Sequence, residues 1–231
     1  MSIVKLQLSE MLGQCWEIIM SFKKDAVIDL IIDELISNYH CHTIILYGSR
    51  ARGDYTATSD YDVAGITASG EKKRIARFDE KHHVYHDIFI YPEEDFASLK
   101  DEHLNMADGI VMIDHNDFGK KLISTLKQRL NESEAISKDE IQVRKVWYKK
   151  MLSRASVDDL EGRYRHIWAI FTIIEDYFAF QGLRYQGPKK AFQYLETHDP
   201  ETLSLFKEVL YDTNDLSALN KLITRVVDLA V

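Results

Sequence analysis

Asp60 and Asp62 stand two residues apart, behind the polar loop "GSRARGDYTATS" that follows the apolar run "TIILY". On an extended strand side chains alternate with period two, so both carboxylates point to one face. Two carboxylates held side by side repel, and each favours protonation or a cationic partner. A divalent cation resolves that conflict. Magnesium takes hard oxygen ligands, one or two of them carboxylates, and leaves the remainder to water and substrate phosphate. In "VYHDIFIY" the same alternation puts Asp87 opposite His86, Ile88 and Ile90, so a neighbouring strand can deliver a third carboxylate to the pocket. Three acids suit a site for two metal ions.

The loop ahead of the acids complements them. Gly48 lets the backbone turn tightly off the strand, and Ser49 offers an amide and a hydroxyl to a phosphate without steric obstruction. Arg50 and Arg52 add positive charge; one is expected to face phosphates and the other to pair with surface acids. Metal, amides and guanidinium together are the equipment for the triphosphate of an NTP.

These residues carry a resemblance. "GSRARG" from Gly48 to Gly53, "SDYD" from Ser59 to Asp62 and the strand-borne Asp87 resemble the nucleotidyltransferase signature of the DNA polymerase β superfamily. A motif of this kind followed by a separate helical domain is similar to aminoglycoside nucleotidyltransferases of the kanamycin type. The resemblance implies that Gly48 and Ser49 bind the β and γ phosphates, with Ser59 beside them, and that Asp60 and Asp62 ligate Mg2+. Asp87 matches the third acidic position, which either completes the metal site or accepts a proton from the attacking hydroxyl. The implied reaction is in-line attack of an acceptor hydroxyl on the α-phosphorus of ATP or another NTP, with release of pyrophosphate. Because kanamycin-type enzymes take a general base from the helical domain, Glu175 in "TIIEDYF" is a candidate for that role; its alternative is the polar stripe of an amphipathic helix. Lys189 and Lys190 fall in the first turn of a helix, where the macrodipole disfavours cations. An anion there would make Lys189 a triphosphate contact; otherwise both lysines are solvated.

Positioning these groups requires an α+β domain. Apolar residues at helical spacing predict helices over 7–22 and 25–38. "HTIILYG", "DYDVAGI" and "HHVYHDIFIY" read as strands, and "SGEKKRIARFDEK" holds either an edge strand or a loop. Pro92 and the acids after it open a helix to about Leu99, "DGIVMID" is a last short strand, and "DFGKKLISTLKQRL" is a helix. The polar stretch from Asn131 to Glu140 lacks apolar periodicity and marks a boundary, dividing a catalytic domain over 1–131 from a helical substrate-binding domain over 132–231. Helices are expected there over 138–154, 157–181, 188–197, 200–211 and 215–230. The expected fold is therefore a mixed sheet flanked by helices, followed by an all-α bundle.

Composition excludes several classes. A formal net charge of −8 argues against long nucleic acid as a partner, since phosphate neutralisation needs a basic face. No run approaches the ~20 apolar residues of a membrane span, and the N-terminus lacks the pattern of a signal peptide, so cytoplasmic residence is expected. Cys15 and Cys41 lie in no metal or redox spacing and are expected to be reduced. His82, His83 and His86 crowd one strand without the helical spacing of a zinc site, and His166, between Arg163, Arg165 and "IWAIF", reads as a helix-surface residue. The expected partners are an NTP and a small-molecule acceptor bound between the domains, aminoglycoside-like as one possibility. Two rivals stand beside it: transfer to a protein hydroxyl, and a silent nucleotide-binding module. The aromatics Trp147, Tyr148, Trp168, Phe171, Tyr177 and Phe178 could furnish a homodimer face as readily as a core.

Overall fold

The computed structural model describes residues 25–132 and 135–230; the helix expected over 7–22 and Cys15 lie outside the described residues. Two compact units make up the chain, one ending at Leu130 and the other beginning at Asn131.

In the first unit, helix α1 (Ala26–Tyr39) starts where the Asp25 carboxylate accepts from the amides of Val27 and Ile28 at 3.0 and 3.3 Å. Such a cap satisfies amides that have no partner within the helix. Strands β1 (Thr43–Tyr47), β2 (Tyr61–Thr67), β3 (Lys73–Asp79), β4 (Val84–Pro92) and β5 (Ile110–Ile113) form one sheet in the order β3-β4-β2-β1-β5. Only β2 and β4 run parallel; the other neighbours are antiparallel. The segment that sequence left open between edge strand and loop is the edge strand β3. Its residues are mostly exposed, so burial offered no pattern to read.

Alternation gives the sheet two unlike faces. Ile44, Leu46, Val63, Ile88 and Ile90 pack under Ile28, Ile31 and Leu35 of α1. Ile45, Ala64, Ile66 and Tyr91 pack under Leu104, Met106 and helix α3 (Phe118–Leu130) through Leu122, Ile123 and Leu126. Asp62 has the parity of Ala64 and Ile66, and Asp87 that of Phe89 and Tyr91, so both acids continue this second face. The helix expected after Pro92 is replaced by two short 3-10 segments, Glu93–Ala97 and Asp101–Met106.

The second unit is all helical: α4 (Lys138–Ala155), α5 (Leu160–Phe180), α6 (Pro188–His198), α7 (Pro200–Tyr211) and α8 (Leu216–Leu229). Its core gathers Tyr148, Tyr177, Phe178, Leu195, Phe206 and Leu222, whereas Phe171 and Trp168 remain exposed. His166 is not a surface residue: it is buried on the α5 stripe that also carries Ala169, Ile170 and Ile173, and burial pushes its imidazole below the usual range. Among the described residues no helix is long and apolar enough to cross a membrane. Cys41 is a free, buried thiol whose burial raises its pKa to about 11, which keeps it protonated and unreactive.

Candidate nucleotidyltransferase site

The loop after β1 is not irregular: Gly48–Arg52 winds into a short helix, α2, closed at Gly53. Gly48 begins it with φ +73°, and a Cβ there would stand 2.9 Å from Cγ of Asp62 with the carboxylate oxygen nearer still. Both the left-handed backbone and the close approach demand glycine. The loop backbone therefore lies directly against the first residue pair of the acid-bearing strand.

Arg50 is buried under this loop. Its Nε and Nη2 donate to the Ser59 carbonyl at 3.0 and 2.8 Å, and Nε also donates to the Asp60 carbonyl at 3.2 Å. The guanidinium lies 3.7 Å from the ring centre of Tyr61, whose hydroxyl donates to Asp25 at 2.6 Å. A chain of contacts thus runs from the cap of α1 through Tyr61 and Arg50 to the peptide that carries Asp60. Arg52 faces acids, Asp54 at 3.4 Å and Asp108 at 3.2 Å. Of the two arginines expected to divide between phosphate and surface acids, one clamps the loop and the other pairs with acids. Ser59 turns its hydroxyl back to accept from the Thr56 amide at 2.9 Å, while Ser49 is half-buried in the first turn of α2.

Asp60 is exposed and Asp62 half-buried. Across the parallel pair Asp62 is the register partner of Asp87, and across the antiparallel pair that of Tyr47. Burial first, and then the negative charges of Asp60 and Asp87, push the Asp62 carboxyl up to about 6 against the opposing pull of Arg52. The Tyr47 phenol is likewise held far above its usual range by burial, with Asp62 next in effect. Asp87 has found a cation: Arg74 of β3 donates Nε and Nη2 to its two oxygens, each at 2.8 Å. Arg74 and Tyr47 were not legible as site residues, because the antiparallel register that brings Arg74 to Asp87 is not encoded in local spacing.

The structure therefore sets Gly48 against Asp62 and Asp62 in register with Asp87, with Asp60 near enough for its charge to act on Asp62. Glu175 and Lys189 belong to the helical unit; Glu175 is exposed on α5, where its charge contributes to raising the Tyr185 phenol after burial, and Lys189 is exposed in the first turn of α6. The acids are hard-oxygen donors, a set that fits magnesium. Among the described residues no three acidic, imidazole or thiol side chains converge on one point. Asp87 of the three acids expected to converge is paired with Arg74. One or two carboxylates are enough for magnesium when substrate phosphate and water complete its shell.

Comparison with known proteins agrees with the motif. The Nucleotidyltransferase domain family matches residues 28–117. A Methanocaldococcus jannaschii protein, provisionally named a protein adenylyltransferase, is 36% identical over 80 residues, which make up 33% of this chain and 74% of that protein. A crystal structure of a nucleotidyltransferase-like protein from Exiguobacterium sibiricum aligns with 83% of this chain and 72% of its own at 12% identity and a TM-score of 0.37, a likeness too loose to carry weight. The chain belongs to the nucleotidyltransferase domain family, of the polymerase β type, and its activity is that of a nucleotidyltransferase.

Proposed function

We propose that the protein transfers a nucleoside monophosphate, AMP from ATP, to a hydroxyl group, with Asp60 and Asp62 holding Mg2+ and Asp87 joining them. The observation that carries this reading is the meeting of Gly48, Asp62 and Asp87: a glycine turn pressed on a half-buried carboxylate whose own charge is opposed by two others. Burial, and after it the charges of Asp60 and Asp87, raise this carboxyl to about 6 despite Arg52, and a bound cation would relieve that cost. Bound magnesium supplies charge neutralisation at the attacking and leaving oxygens of the phosphoryl group. The chain's own part is positioning. Gly48 and Ser49 turn the backbone so that amides and a hydroxyl receive the β and γ phosphates, and the Arg50 clamp fixes the peptide of Asp60. The acceptor oxygen attacks the α-phosphorus, the bond to the bridging oxygen of pyrophosphate breaks, and the hydroxyl proton leaves to a carboxylate: Glu175, or Asp87 in the alternative in which Asp87 does not ligate the metal.

A small-molecule acceptor, aminoglycoside-like among the possibilities, is supported by the helical unit, which lies beyond the residues matched to the nucleotidyltransferase domain. The name of the archaeal relative favours a second reading, a protein hydroxyl as acceptor. One experiment tests both: incubation with magnesium and α-labelled NTPs, with hydroxylated small molecules, including aminoglycosides, or with host protein extract as acceptors. Label should move from ATP in preference to the other NTPs, and Asp60→Asn and Asp62→Asn should each abolish transfer while leaving the protein folded. Transfer that persists in Asp60→Asn would remove the metal assignment, and the position of the label decides between the acceptors.

A further inference from the structure

The pairing of Arg74 with Asp87 has no place in the site expected from the motif, and its geometry is specific. Both oxygens of Asp87 are occupied, each by a different guanidinium nitrogen at 2.8 Å, in the bidentate arrangement that matches a guanidinium fork to a carboxylate. Arg74 engages one lone pair of each Asp87 oxygen and neutralises the carboxylate, so a metal ion approaching at ~2.1 Å competes with the guanidinium for that side of the group and for its charge. The Arg74 side chain is 58% exposed, so its release into water is cheap, and its guanidinium already lies 5.0 Å from the ring centre of Phe89, on the same sheet face. Asp87 is less exposed, at 26%, and cannot follow it out. On β4 Asp87 is held in register with Asp62 on one side and with Ala76 of β3 on the other.

We propose that Arg74 is the resident counter-cation of Asp87, competing with metal for that carboxylate and ceding it when metal enters. The inference rests on the reading of Asp60, Asp62 and Asp87 as metal residues. Arg74 is a positioning residue in this scheme: it holds Asp87 in place and charge-balanced between turnovers, and it sets a threshold for metal entry. Exposed ion pairs are weak, so the threshold is small, a few-fold in affinity.

The test is a titration of the full chain with Mn2+, following free Mn2+ by electron paramagnetic resonance, so that no turnover is needed. Arg74→Ala and Arg74→Gln should each bind Mn2+ about three- to tenfold more tightly than wild type. Asp87→Asn should cancel that gain in the double variant, since the competition acts through Asp87 alone. Lys72→Ala removes an equal charge near the same face but its ammonium contacts Glu102 at 2.5 Å, so its effect should be smaller. Unchanged or weaker Mn2+ binding in both Arg74 variants, with Asp62-dependent binding intact in wild type, overturns the role of Arg74 and leaves the metal reading standing. An increase that survives Asp87→Asn, or is matched by Lys72→Ala, also overturns it, as a general effect of charge. Absence of any Mn2+ binding sensitive to Asp62→Asn overturns both. Thermal melts of each variant confirm that a change in affinity is measured on folded protein.

Discussion

Asp62 of β2 lies in register with Asp87 of β4, and the two carboxylates meet opposite fortunes: Arg74 grips Asp87, while burial and two negative neighbours leave Asp62 titrating near 6. The stability consequence follows from linkage. The folded-state pKa lies above the ordinary 3.8, so the fold favours protonated Asp62; its contribution is fully present below about 4 and is lost as pH rises to about 6. Asp62→Asn should therefore stabilise the protein at pH 8 in EDTA by something on the order of 1 kcal/mol, after discounting for solvent screening. Urea melts of the two proteins should converge at pH 4. A variant less stable than wild type at both pH values would show that Asp62 is satisfied in a way its surroundings do not indicate.

Gly48→Ala should be far more damaging than its size suggests. The new methyl needs the space of the Asp62 carboxylate and a backbone at φ +73°, so Asp62 must swing away or α2 must shift. We expect a loss of about 1–2 kcal/mol in stability, from the left-handed backbone, and a much larger loss in turnover. Equal kcat for the two proteins would mean that the contact between loop and acid is not needed in the reaction.

Arg50 distinguishes scaffold from ligand. A phosphate-binding arginine raises KM when removed and leaves the fold alone. Buried Arg50, bonded to two carbonyls and resting on Tyr61, should instead cost about 2–3 kcal/mol as Arg50→Ala, because the Ser59 and Asp60 carbonyls lose their donor. Arg50→Lys should recover little, since one ammonium cannot reproduce the fork. Urea midpoints are the measurement, and a stable Arg50→Ala protein with raised KM for NTP would return Arg50 to the nucleotide.

These three residues also mark how far the sequence reaches. β1 and β2 were legible because their apolar runs are almost wholly covered, β4 because its apolar residues alternate towards one buried face, and the glycine and acids because their spacing is local. What each arginine meets was not: Arg50 reaches backbone carbonyls nine and ten residues further along the chain, and Arg74 reaches Asp87 through the β3-β4 register. Edge strand β3 carries almost no burial signal. His166 was misplaced for a different reason. Its arginine neighbours suggested a surface, but the period of buried Gly162, Ala169, Ile170 and Ile173 runs straight through it.

The adjacent acids of α5 should separate a structural carboxylate from a functional one. Asp176 is buried, accepts from Tyr148 Oη at 2.7 Å and pairs with Arg144. Its removal leaves the buried Tyr148 phenol without this acceptor and Arg144 with Glu140 as its remaining partner, so Asp176→Ala should cost about 1–3 kcal/mol. Turnover per folded molecule should stay unchanged. Glu175 next to it is exposed, and Glu175→Gln should alter stability by no more than about 0.5 kcal/mol. If Glu175 takes the acceptor proton, that variant loses kcat and the acidic limb of the pH–rate profile, whereas loss of that limb in Asp87→Asn alone places the base on β4. Stability and the pH–rate profile measured on the same four proteins, wild type included, make the assignment, because a scaffold residue moves only the first and a base only the second.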